Sequence, residues 1–73
     1  MDVKKDNFKR ISENRVSKIL FLLSQLTNLQ NSSYYEYTTE DIEKIFSEIE
    51  KETKRSKEIL IKSVEKKNKK FEL

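Results

Sequence analysis

Glycine, proline, cysteine, histidine and tryptophan are all missing from this 73-residue chain, and each absence closes off a class of structure or chemistry. At average usage the first two alone would supply roughly nine residues in a chain of this length. They are the residues that tolerate positive φ, or fix φ, in tight hairpins and β-bulges. Their absence argues against strand-rich folds and leaves an all-α chain. No cysteine means no disulfide and no thiolate nucleophile, and no histidine removes the usual neutral-pH base. Together they remove the nitrogen and sulfur ligands of zinc sites. No glycine means that neither the dinucleotide fingerprint nor the P-loop can be written in these letters. The longest unbroken apolar run, Ile19 to Leu23, is far short of the roughly 20 residues that span a bilayer. The expectations are therefore a cytoplasmic protein, not an enzyme, with no cofactor, no metal, no small-molecule substrate and no membrane attachment.

What is present is helical periodicity in two blocks. Phe8, Ile11, Val16, Ile19, Leu20, Leu22, Leu23, Leu26 and Leu29, projected at about 100° per residue, fall within about half of a helical wheel. Phe21 alone lies on the polar side. This predicts a first helix over about 7–29 with a wide apolar face, capped by Asp6 or Asn7. Its end is marked by the polar run from Gln30 to Ser33. A loop over 30–38 follows, polar at first and then carrying Tyr34, Tyr35 and Tyr37. Thr38 and Asp41 are spaced as a helix-start pair, with Glu40, Asp41 and Glu43 in the first turn where free amides favour negative charge. Ile42, Ile45, Phe46 and Ile49 then open a narrow stripe that passes through Thr53 and Ser56 to Leu60 and Val64. The second helix is expected over about 39–69, with a basic overhang at 66–73.

The two faces differ in width, and that difference predicts an assembly. An antiparallel hairpin of the whole chain, read as one domain over 1–73, sets Leu20 near Ile49, Leu23 near Phe46 and Leu26 or Leu29 near Ile42. A stripe of about 100° cannot cover a face of about 180°. Dimerisation of two hairpins into a four-helix bundle disposes of the surplus, with Ile19, Leu22, Leu23 and Leu26 as the dimer core. A monomer in which the N-terminus and the tyrosine loop fold back over the first helix is the alternative.

Charge is distributed unevenly. Residues 51–73 carry nine Lys or Arg against four Glu, a net of +5, whereas residues 1–50 carry a net of −2. Lys62, Lys66, Lys67, Lys69 and Lys70 are candidate nucleic-acid contacts through phosphate. With Arg55 and Asn68 alone among lysines, base readout is not expected. The competing reading is solvated helix surface, in which Glu50–Lys54, Glu58–Lys62 and Glu65–Lys69 form i,i+4 pairs. An anionic membrane surface is a third reading of the same charge. Tyr34, Tyr35, Glu36, Tyr37, Glu40 and Asp41 form the other candidate site, a partner-binding patch. Tyrosine provides large contact area at low rotamer cost and is enriched among interface hot spots.

The segments Asn14–Ile19, Leu26–Ser32 and Tyr35–Thr38, leading to Asp41–Phe46 and Ile49–Glu50, resemble a group of short helical proteins of unassigned function. Such proteins are carried by phages, plasmids and conjugative elements of low-GC Gram-positive bacteria. The resemblance covers roughly residues 14–52, contains no chemical motif and transfers no site residues. It implies a bacterial cytoplasm and a mobile-element setting. In architecture the chain also resembles the small antiparallel hairpin dimers with which plasmids bind RNA, an analogy of fold. The function expected is that of a homodimeric interaction or inhibitor protein docking on a host or element-encoded macromolecule, with a protein as the expected partner. The alternative is a sequence-tolerant nucleic-acid binder.

Overall fold

A computed structural model describes residues 2–31 and 33–68, and among these every regular element is helical, with no strand. The chain divides into two units, Met1–Glu36 and Tyr37–Leu73. The first holds α1, Val3–Thr27, closed by a 3-10 turn at Asn28–Gln30, and the second holds α2, Thr39–Asn68. At 1.5 Å rise per residue they extend about 38 Å and about 45 Å.

α1 begins a full turn earlier than its apolar pattern predicts. The cap is Asp2 and not Asp6 or Asn7: the Lys5 amide donates to its Oδ1 at 3.2 Å, and the Asp6 amide donates to its carbonyl oxygen at 3.1 Å. Nothing between Asp2 and Phe8 breaks a helix, so the chain takes the earliest capping side chain available, and Asp6 falls in the first turn, where the macrodipole favours it. The far end is also local. Without a glycine to enter the left-handed region, α1 tightens into the 3-10 turn and then leaves through Asn31, whose backbone is extended. The Asn31 side-chain oxygen accepts from the Ser33 amide at 3.0 Å. Its carbonyl oxygen accepts from the Tyr34 and Tyr35 amides, both at 3.2 Å. This Asx turn does the work usually given to glycine.

α2 starts as its sequence predicts. The Thr38 amide donates to Asp41 Oδ2 at 2.9 Å, and the Asp41 amide donates to Thr38 Oγ1 at 3.1 Å. This reciprocal pair satisfies donors that a helix start leaves free. α2 is the more sharply amphipathic of the two, because the wide face of α1 dilutes the contrast between its sides. Of the expected overhang, residues 66–68 belong to α2 and residues 69–73 lie outside the described residues.

Several hydroxyls are tied to their own helix. Ser12 donates to the Lys9 carbonyl, Ser24 to Phe21 and Thr27 to Ser24 in α1; Thr53 donates to Ile49 and Ser63 to Leu60 in α2. No side chain among the described residues is fully buried. Ser12, Leu23, Leu26 and Ile49 are half-buried, and the rest are exposed.

Candidate interaction surfaces

In the first unit the apolar face of α1 is the largest candidate. Of the four residues expected to form a dimer core, Leu23 and Leu26 are half-buried, whereas Ile19 and Leu22 are 56% and 64% exposed. Ile19 is at least as central on the wheel as Leu23 and Leu26, so position on the face does not by itself decide which side chains are covered. Phe21, on the opposite side of the wheel, is 60% exposed, much as Leu20 and Leu22 are on the apolar face. The depression along Asp6, Lys9, Arg10, Glu13, Asn14 and Ser17 is one open flank of a single helix and encloses nothing.

The expected partner patch falls in both units. Tyr34, Tyr35 and Glu36 belong to the first. The Asn31 turn brings the rings of Tyr34 and Tyr35 to a centroid separation of 6.5 Å, tilted by 58°. That geometry suits an aromatic pair. Tyr34 is 80% exposed, so its ring offers most of its surface to solvent. Tyr37, Glu40 and Asp41 belong to the second unit and are also exposed. Asp41 is already engaged with Thr38, so it shapes the start of α2 as well as lending charge.

Along α2 the stripe Ile42, Ile45, Phe46, Ile49, Leu60 and Val64 is present as expected. Two residues that the i+3 and i+4 walk steps over, Ile59 and Ile61, flank Leu60 and are also exposed, so the apolar arc widens toward the end of the helix. A count of apolar neighbours around Leu60, in place of a walk along the stripe, would have found them. Lys62 and Lys66 are exposed on α2; Lys67 belongs to the helix; Lys69 and Lys70 lie outside the described residues. The expected Glu50–Lys54 and Glu58–Lys62 pairs do not form, and Lys69 of the third pair is undescribed. Among the described residues the ion pair within 4.0 Å is Glu52–Arg55, one turn apart at 2.7 Å, with the guanidinium forked onto the carboxylate. That hydrogen bonding holds the Glu52 carboxyl below its ordinary value and raises Arg55. The planar guanidinium makes two directed contacts where a lysine makes one; in so exposed a pair the contribution to stability is small.

Among the described residues no group of three or more carboxylates stands close enough to hold a metal ion. No helix among them is long and apolar enough to cross a membrane. What the arrangement offers chemically is surface: apolar faces, paired aromatic rings, and charge of both signs. Comparison with protein-family models, curated proteins and solved structures gives no match, and any functional reading rests on the residues of this chain.

Proposed function

We propose that this chain is a non-enzymatic interaction protein that works as a homodimer and docks on a macromolecular partner. The observation that carries this reading is the complete lack of a buried side chain among the described residues, combined with leucine, isoleucine and tyrosine side chains open to solvent. Apolar surface of this extent is stabilised when another surface covers it, by about 25 cal/mol for each Å² removed from water. In the proposed assembly the two helices fold as an antiparallel hairpin, and two hairpins form a four-helix bundle with Ile19, Leu22, Leu23 and Leu26 in its core. Tyr34, Tyr35, Glu36, Tyr37, Glu40 and Asp41 remain outside as the docking patch, an aromatic and acidic surface suited to a partner with a basic groove. A mobile-element setting, implied by the resemblance of residues 14–52, suits a small docking protein of this kind.

Light-scattering mass on a sizing column is the direct test of the homodimer. Twice the chain mass at micromolar concentration is expected, and a single-chain mass at all concentrations overturns it. For the docking patch, replacing Tyr34, Tyr35 and Tyr37 together by Ala is expected to abolish capture of the partner while leaving helicity intact. Unchanged capture removes those residues from the interface. A second reading is favoured by the exposure of Lys62 and Lys66 on the basic end of α2: contact with nucleic-acid phosphates. Its signature is co-purifying material absorbing at 260 nm that salt removes steeply, because each neutralised phosphate releases counterions.

A further inference from the structure

We infer that α2 pairs with α2 of a second copy in the antiparallel sense, with the acidic half of each helix lying against the basic half of the other. The inference rests on the self-association reading for its occupant; it sets the two-fold axis on α2 in place of an α1 core of Ile19, Leu22, Leu23 and Leu26, and gives the pair a direction and a register.

The charge of α2 is sorted by position. Residues 39–52 hold six carboxylates against Lys44 and Lys51, a net of −4; residues 53–68 hold six cationic residues against Glu58 and Glu65, a net of +4. Complementing the macrodipole accounts for acid in the first turn and base in the last, since that effect fades beyond one turn of each end. It does not account for a change of sign in mid-helix, where Glu48, Glu50 and Glu52 give way to Lys54, Arg55 and Lys57. α2 runs Thr39–Asn68, so the sign changes at its middle. A parallel pair would set like charge on like along the whole length; an antiparallel pair sets −4 on +4 twice.

A seam along this stripe is compatible with the same register, with Ile49 and Leu60 as its apolar pair. Ile42, Phe46, Ile49, Thr53, Ser56, Leu60 and Ser63 follow one another at alternating steps of four and three, the spacing of a coiled-coil seam. A two-fold axis passing between Thr53 and Ser56 sets Ile49 of one chain against Leu60 of the second copy. It sets Phe46 against Ser63, beside Val64. Thr53 and Ser56 meet at the axis, and their short side chains permit close approach of the helices there. In this register Glu50, on one flank of the seam, faces Lys57 of the second copy, and symmetry repeats the pair. Glu50 and Lys57 are exposed and have no ion-pair partner within their own helix, whereas Glu52 is already taken by Arg55. Flanking charges of this kind set partner choice and orientation in paired helices.

The test is a charge swap read by sedimentation equilibrium of the full chain. Glu50→Lys alone sets lysine against lysine in both symmetric pairs; Lys57→Glu alone sets carboxylate against carboxylate. Each is expected to raise the dimer dissociation constant about tenfold, a loss in line with reversing two exposed pairs. Mixing the two variant chains is expected to restore wild-type affinity through a heterodimer. Circular dichroism at high concentration checks that each variant remains helical. Because the chain has no cysteine, a second readout is clean: a mixture of Thr53→Cys and Ser56→Cys chains should oxidise mainly to the mixed disulfide. Dimers indifferent to the swap and cross-linking each variant mainly to itself would overturn this pairing and leave the homodimer standing. A wild-type chain that is monomeric throughout would overturn both.

Discussion

The two helices solve the problem of a small apolar budget in opposite ways. α1 concentrates greasy side chains over half its circumference and scatters its charges. α2 confines its apolar residues to a narrow stripe and orders its charges by half. The first arrangement gives adhesion with little direction, since a broad leucine-rich face is satisfied by many packings. The second gives direction with little adhesion, since Thr53 and Ser56 interrupt the stripe where it crosses the middle of the helix. The two helices separate two properties of a helix surface: how strongly it can associate and how far it can select an orientation.

Breaking the adhesive helix should have the largest effect. Leu23→Asp puts a carboxylate at a half-buried position in the centre of the α1 face, where desolvating the charge costs several kcal/mol. The expected result is loss of the proposed dimer and of most helicity, measured as mass on a sizing column and ellipticity at 222 nm. An unchanged mass would place the dimer core elsewhere. Dilution probes the same dependence without mutation. Neither helix has a buried core among its described residues, so helicity should fall with concentration by mass action. Ellipticity followed from millimolar to submicromolar chain tests it, and a flat profile would mean that the helices stand on their own. Thr38→Ala weakens the directional helix at its start, removing one arm of the Thr38–Asp41 pair at a cost of about 1 kcal/mol. Amide exchange should then rise at residues 39–42 and stay unchanged in α1.

The smallest effect concerns Glu52. Its carboxyl is held below its ordinary value of 4.5 by the Arg55 guanidinium. Its contribution to α2 is therefore complete above that ordinary value and is lost as the pH falls through the depressed one. Glu52→Gln should remove a small, acid-side step from the helicity titration of α2 and leave the neutral-pH value nearly as it was. A titration identical to wild type would show that the pair contributes nothing.

Much of this architecture is legible from letters, for reasons that differ by element. The start of α2 reads directly, because Thr38 and Asp41 form a local signal that needs nothing beyond one turn. The start of α1 does not, because its first turn carries no apolar periodicity; Asp2 wins simply as the earliest side chain able to cap. The exit through Asn31 is hidden for a related reason. A chain with no glycine must end a helix by side-chain hydrogen bonding, and which asparagine does so depends on where the 3-10 turn stops. The Glu50–Lys54 and Glu58–Lys62 pairs fail, and the arginine pair appears, because exposed ion pairs are decided by headgroup geometry more than by spacing. Of the candidate sites, the tyrosines and α1 leucines are visible as residue types. The widening of the α2 arc at Ile59 and Ile61 requires the wheel to be drawn locally.

The inward-turned hydroxyls bear on hydration at any surface these helices come to share. Thr53 donates to the Ile49 carbonyl at 2.7 Å and Ser63 to the Leu60 carbonyl at 2.8 Å, so neither brings an unspent proton to the face it lies on. A side chain whose donor is already engaged within its own helix can be covered without stranding that donor. Thr53 and Ser63 can thus be covered with few trapped waters, whereas Ser56 keeps a donor for a partner or a water, and the heat-capacity change on association should fall between that of an aliphatic seam and that of a polar one.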